Sequence, residues 1–328
     1  MQREDKNTVA QASSRTFSMP DIADMDRLLN EKEIDFFTHN GFLVKEAFLD
    51  TNLVDSAMDL VWKHLIETVP MKAGTVKQLS KADQSSWLNP EWEKMPDHPS
   101  SGPFQGRQPR EYYPNGIVKL HDIGSHTLLV DLVPNNPQVR AIATRMLGRK
   151  LRKSSRTRGV YAVFPTTPSR IRNKKQSQLG PHTDQVCQQL NVCAYLEKVT
   201  ERSGGFTIYP GSHKKIFHQH RFQSNWSPKD SYHETVQQIA RETVPFEICA
   251  PKGSVIFWHG RAVHSVGIHN TNKIRWALFA DFTHEKPTLD ENEHRTLLQY
   301  EWFKDTKLFT QDSPVSQNMW EDWAIGPK

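Results

Sequence analysis

Two residues two places apart, His182 and Asp184 in the run Gly180-Pro181-His182-Thr183-Asp184, have the types and spacing for metal chemistry. In an extended strand residues i and i+2 share a face, so an imidazole nitrogen and a carboxylate oxygen are presented to one point. Two ligands do not hold a catalytic metal well. A third is available in the stretch from Gly253 to Asn270, where His264 and, five residues before it, His259 are the candidates. Two imidazoles and one carboxylate on one face would form a facial triad. Its borderline nitrogens and hard oxygen suit Fe(II) and leave the opposite face open to a bidentate co-substrate and O2. Arg275 follows in Asn272-Lys273-Ile274-Arg275-Trp276-Ala277-Leu278-Phe279. A guanidinium on a strand there can grip a carboxylate bidentately.

The elements that must position these residues are short strands. Leu190 to Leu196, Phe206 to Tyr209, Val244 to Ile248, Val255 to Trp258 and Arg275 to Phe282 are rich in β-branched and aromatic residues, and Gly204-Gly205, Pro210-Gly211 and Pro251-Lys252-Gly253 supply turns. That spacing suggests a jelly roll. Ahead of it, Asn30 and Glu33 read as a capping box before Ile34, Phe36 and Phe37, with a helix stop at Asn40-Gly41 and a strand at Phe42-Leu43-Val44. A second helix is expected from Thr51 to Thr68, its apolar positions Val54, Met58, Val61, Trp62 and Leu65 recurring at three- and four-residue spacing. Pro137 opens a further helix to about Leu147, and Val160 to Phe164 is strand-like.

Residues 71–115, with Trp87, Trp92, Phe104, Tyr112 and Tyr113 among prolines and charges, read as a long loop, either an aromatic-walled cover for substrate or an excursion pinned by its tryptophans. Residues 212–243 form an insertion with a helix near Tyr232 to Arg241, and a last helix from Glu291 to Phe303 precedes a tail bearing Trp320 and Trp323. The expected organisation is a disordered 1–20, then one domain over 21–328, with a helical N-terminal part, a jelly-roll core over about 155–284 and a C-terminal helix and tail over 285–328. The tail could fold back over the sheet or pair with another subunit, so a homo-oligomer stays open.

The formal charge of +5 hides an asymmetry. Between Leu132 and Thr183 there is no acidic residue, while Arg and Lys number twelve, leaving the remainder of the chain at −7. This block either lines the mouth of the site and draws in an anionic substrate or is a solvated basic face. No nucleic-acid module accompanies it, so nucleic acid is not the favoured partner. Three cysteines, Cys187, Cys193 and Cys249, sit at no metal-ligand spacing and fit a reducing compartment. The polar start of the chain and the lack of a membrane-length apolar run suggest a cytoplasmic protein without a membrane partner.

The ordered set His182-Thr183-Asp184, then Ser203-Gly204-Gly205-Phe206-Thr207-Ile208-Tyr209-Pro210-Gly211-Ser212-His213, then Gly253-Ser254 leading to His264, and finally Arg275 resembles the phytanoyl-CoA dioxygenase-like family of Fe(II)/2-oxoglutarate oxygenases. The resemblance spans His182 to Asp281 and is looser before it, through Leu29 to Phe37 and Asn40 to Val44. It implies a mainly β protein with flanking helices, built on a double-stranded β-helix. It favours His264 over His259 as third ligand, because His264 opens the His-Ser-x-Gly-x-x-Asn run that precedes the arginine. It further implies Fe(II), 2-oxoglutarate and O2 as cofactor and co-substrates, with His182, Asp184 and His264 on the metal, Arg275 on 2-oxoglutarate, and His213 a scaffold residue. Retention of Asp184 implies oxygen chemistry rather than halogenation, and hydroxylation, desaturation, cyclisation and endoperoxidation are all served by the same ligands. The activity expected is oxidation, by default hydroxylation, of a small organic, anionic substrate in a biosynthetic pathway, with release of succinate and CO2. The alternatives are a non-catalytic jelly-roll sensor of ligand or metal, and a nucleic-acid demethylase using the same iron site.

Overall fold

Strand β10 (Arg275–Phe282) pairs on one side with β5 (Leu190–Tyr195) and on the other with β4 (Gly159–Val163), and the large sheet grows outward from it. Its order is β1 (Phe42–Lys45), β8 (Val255–His259), β5, β10, β4, β3 (Ile117–Leu120), β2 (Arg110–Tyr112), with every pairing antiparallel. A second sheet has the order β7 (Phe246–Glu247), β6 (Phe206–Ile208), β9 (His264–Val266). Phe42, Tyr195, Phe206, Ile208, Trp258 and Phe279 pack together between the two sheets. The architecture is mainly β with flanking helices, a double-stranded β-helix. The computed structural model describes residues 28–69, 79–88, 110–113, 116–148, 151–165, 179–184, 190–216, 231–282, 319–320 and 323–326.

The helices form where local chemistry allows and pack where their stripe is apolar. Helix α1 (Glu31–Asn40) starts on a reciprocal capping box. The Asn30 side chain accepts from the Glu33 N–H at 3.1 Å, and the Glu33 carboxylate accepts from the Asn30 N–H at 3.0 Å. It ends at Gly41, whose φ of 82° is left-handed and whose N–H donates to the Phe37 carbonyl. Helix α2 (Thr51–Thr68) is capped by Asp50 and buries Val54, Met58, Val61, Trp62 and Leu65 against the outer face of the large sheet, as its periodicity requires. Helices α3 (Thr127–Leu132) and α4 (Pro137–Leu147, capped by Asn136) join the same core. Helices α5 (Ser212–Ile216) and α6 (Ser231–Glu242) fall in the expected insertion.

Three expectations are amended. Strands β2 and β3 and helix α3 lack strong periodicity in the sequence, and β2 lies inside the expected loop 71–115, where pairing to β3 holds it. Strand β7 is only two residues long: Phe246 and Glu247 pair with Ile208 and Thr207, while Val244, expected to begin the strand, is 85% exposed outside it. His182 and Asp184 do not lie on a regular strand. A single antiparallel bridge holds His182 to His264, each N–H donating to the other's carbonyl at 3.0 and 2.9 Å.

The tryptophan that pins the long loop is Trp87, which packs on Trp62 at 5.4 Å and donates Nε1–H to the Asn272 carbonyl. The tail folds back on the same chain: Trp323 stacks on His259 at 5.0 Å, and the Ala324 N–H donates to the Met146 carbonyl. The expected disorder of 1–20, the helix from Glu291 to Phe303, the remainder of loop 71–115 and the basic stretch 166–178 lie outside the described residues. Among the described residues no helix is long and apolar enough to cross a membrane.

Candidate metal centre

Strand β9 brings His264 to the inner face of the small sheet, and the bridge to His182 puts the two rings 4.5 Å apart. Asp184 follows, with Oδ1 3.6 Å from His264 Nε2. One ligand atom from each of His182, Asp184 and His264 lies within 4.8 Å of the others, a set able to hold a metal ion. His259, the rival candidate, lies apart from this set, between Trp323 and His213.

The orientation of both imidazoles suits coordination. His182 Nδ1 is 2.8 Å from the Gly180 carbonyl and His264 Nδ1 is 3.0 Å from the Ala262 carbonyl. A carbonyl only accepts, so each Nδ1 carries a proton and Nε2 is the nitrogen left to face the centre. Burial, aided by His264, pushes His182 down to about 4, which keeps it neutral near pH 7. For Asp184, burial works to raise the carboxyl, but the Arg158 guanidinium and the two histidines outweigh it and hold it well below the usual carboxylate range. The donor set is therefore two imidazole nitrogens and one anionic oxygen, which fits a borderline divalent ion such as Fe(II).

Arg275, first residue of β10, is only 4% exposed. Its Nε donates to the Gly204 carbonyl at 2.9 Å and Nη1 to the Tyr161 carbonyl at 3.2 Å, and among the described residues no carboxylate pairs with it. Burial lowers its pKa, as expected for a desolvated cation. His269, pushed down to about 4 by burial and by Arg275, sits beside it as a neutral ring. An anion delivered to this place would relieve the desolvation of the guanidinium.

Several residues around the centre, Phe206 aside, carry no motif signal. Arg158 and Asn191 both reach Asp184, Tyr161 stacks on Phe279 at 4.6 Å, and Phe206 lies 5.1 Å from the His264 ring. Lys119, on β3, is close enough for its charge to help depress His182, and it pairs with Glu111 at 3.1 Å. Period-two alternation on β5 could have found Asn191, which falls between the outer-core residues Leu190 and Val192. The basic block is largely structural where it is described. Arg140 donates to the Pro134, Leu151 and Arg152 carbonyls, Arg145 to Glu31, and Arg156 to the His121 and Thr157 carbonyls.

Residues 172–277 match the family model described as phytanoyl-CoA dioxygenase (PhyH). No curated protein matches the chain. Among solved structures, the chain is similar to the non-heme alpha ketoglutarate dependent epimerase SnoN from nogalamycin biosynthesis, at 14% identity, covering 83% of this chain and 93% of that one with a TM-score of 0.45. It is similar to EctD from S. alaskensis with bound Fe, at 12% identity over 88% of this chain and 89% of that one, TM-score 0.46. It is also similar to HygX from Streptomyces hygroscopicus with nickel and 2-oxoglutarate bound, at 12% identity over 78% and 87%, TM-score 0.41. The segment 172–277, which carries His182, Asp184, His264 and Arg275, is thus phytanoyl-CoA dioxygenase-like, and by class the protein is an Fe(II)/2-oxoglutarate-dependent dioxygenase.

Proposed function

We propose that the protein oxidises a small organic substrate, with Fe(II) held by His182, Asp184 and His264 and 2-oxoglutarate held at its distal carboxylate by Arg275. The observation that carries this reading is the buried Arg275 without a carboxylate partner among the described residues, on the same barrel interior as a three-donor cluster of iron-binding type. Either feature alone has a structural explanation; together they are what a keto acid chelate requires at its two ends.

The residues divide the work. His182 and His264 offer Nε2 because their Nδ1–H groups are fixed on carbonyls, so neither ring needs to reorient when metal binds. Asp184 supplies the negative charge. Arg275 orients the co-substrate, and Phe206, Trp258 and Phe279 keep water from the space beside His264. Bound Fe(II) supplies the coupling of 2-oxoglutarate and O2 to succinate, CO2 and a substrate that gains one oxygen atom or loses two hydrogens. Hydroxylation is the outcome carried forward. An anionic group on the substrate is carried forward from the charge asymmetry of the sequence; among the described residues Lys119, which pairs with Glu111, is a cation on the side of His182.

The test is an anaerobic titration of metal-free protein with Fe(II) and then 2-oxoglutarate, followed by the visible charge-transfer band of the chelate. A band at low 2-oxoglutarate is expected, with succinate released once O2 is admitted. Folded, iron-loaded protein with no band would sink the reading and move a ligand- or metal-sensing role to the front.

A further inference from the structure

Among the described residues, two side-chain N–H donors converge on one oxygen of Asp184. Arg158 Nη1 donates to Asp184 Oδ2 at 2.9 Å, and Asn191 Nδ2 donates to the same oxygen at 3.1 Å. Arg158 Nη2 donates to Asn191 Oδ1 at 2.7 Å, which closes a ring of three side chains, and Arg158 Nε donates to Asp281 Oδ2 at 2.6 Å. Both lone pairs of Oδ2 are therefore occupied by N–H donors, while Oδ1 faces His264 Nε2.

Resting on the reading of this centre as an iron site, we infer that Arg158 is its positioning residue: through Asp184 Oδ2 it fixes the carboxylate so that Oδ1 alone is presented to the metal. The consequence is chemical. A facial triad must leave three positions, two for a bidentate keto acid and one for O2. A carboxylate free to turn could chelate through both oxygens and fill one of them. Hydrogen bonds from Arg158 and Asn191 to Oδ2 close that option. Asp281 shares the guanidinium, so Arg158 orients Asp184 without neutralising it fully, and the Oδ1 donor keeps its strength.

The backbone is built to deliver Arg158 here. Val160, Ala162 and Phe164 face the outer core, and unbroken alternation would send residue 158 the same way. Instead Arg158 donates its N–H to the Phe279 carbonyl while Gly159 is the register partner of Phe279, so two residues stand against one, as in a β-bulge. Gly159 has φ 101°, and a Cβ there would lie 2.0 Å from the Leu120 carbonyl oxygen. Only glycine fits, and the bulge turns the guanidinium inward.

The experiment is a Co(II) titration of the metal-free full-length chain, read by the visible d–d absorption, in wild type, Arg158→Gln, Arg158→Lys and Asn191→Ala, with thermal melting of each. Co(II) affinity in Arg158→Gln should fall about 10- to 100-fold, and the band should change shape and intensity as Oδ2 is freed. Arg158→Lys should recover part of the affinity, and Asn191→Ala should move the spectrum in the same direction by less. Arg158→Gln with wild-type Co(II) affinity and spectrum, whatever its melting temperature, would reduce Arg158 to a strut between strands and overturn the inference. Should Arg158→Gln fail to fold, Asn191→Ala and Arg158→Lys decide by the same criterion. Wild type that binds no Co(II) would instead overturn the iron reading itself.

Discussion

The two faces of the seven-stranded sheet are made by alternate residues of the same strands, yet they differ in kind. On β10, Trp276, Leu278, Ala280 and Phe282 join the core under α2 to α4, while Arg275, Phe279 and Asp281 meet the candidate site. On β5, Leu190, Val192 and Ala194 take the helix side and Asn191, Cys193 and Tyr195 the other. The outer face is aliphatic with a few aromatics, and its members can be exchanged for others of similar volume at modest cost. The inner face joins apolar residues such as Ala277 and Phe279 to polar and charged side chains, Asn191, Tyr195, Arg275 and Asp281, whose hydrogen bonds run to other segments of the chain. The sheet thus separates stability from chemistry by one-residue steps, and a slip of register by one residue would exchange them.

Substitutions that strike one face and spare the other break this comparison most directly. The largest effect is expected at Asp184. Asp184→Ala should abolish metal binding and coupled 2-oxoglutarate turnover while the helix-face core holds the fold, and full succinate production in a folded Asp184→Ala protein would refute the assignment. The reciprocal change is Trp276→Ala. Trp276 is 2% exposed and packs on Trp62 and Phe164, so its truncation should cost about 3–5 kcal/mol of stability in denaturant unfolding. Co(II) affinity measured well below the new midpoint should match wild type. A large loss of affinity there would mean the faces are not separable.

Arg275→Ala is expected to weaken 2-oxoglutarate binding by roughly 2–5 kcal/mol, because it removes one partner of a buried charge-assisted pair. Iron affinity should stay close to wild type. Calorimetric titration with each ligand in turn checks this, and equal loss of both would indicate a structural arginine.

Much of the site was legible because spacing carries it. His182, Asp184, His264 and Arg275 lie in a fixed order with intervening turns, and the fold brings the first three together. The preference for His264 over His259 agrees with the geometry, which sets His259 against the tail. Helices α1, α2 and α4 were readable because cap and stripe agree locally. Arg158 was not readable. It was one of twelve cations in a block with no acidic neighbours, and its partners Asp281 and Asn191 lie far off in sequence, joined to it only by the register of β4, β10 and β5. The inward turn depends on a glycine whose φ no pattern discloses. Strands β2 and β3 were missed for a related reason: their pairing, rather than any alternation of their own, makes them strands.

A further expected effect is a dependence of stability on pH that belongs to histidines outside the aliphatic core. Burial pushes His182 and His213 down to about 4, and burial with the nearby Arg275 does the same to His269, against an ordinary value of 6.5. Between those values the unfolded chain binds more protons than the folded one, so stability rises with pH across that window and is lost as pH falls from 6.5 towards 4. Each histidine contributes at most one proton, hence a slope of up to ~1.4 kcal/mol per pH unit. The depressed carboxyls of Asp184 and Glu111 act lower, since their contribution is complete above the unfolded values of 3.8 and 4.5 and fades only below them. Denaturant unfolding of metal-free protein at several pH values should therefore show a steep rise up to about pH 6.5 and a plateau above it, with His213→Asn and His269→Asn each flattening the rise. A core-face substitution such as Trp276→Ala should lower the whole curve without changing its shape. If it changed the slope as much as the histidine variants do, the titrating groups would be coupled to the helix-face core, and the division of the sheet into a dry face and an ionisable one would fail.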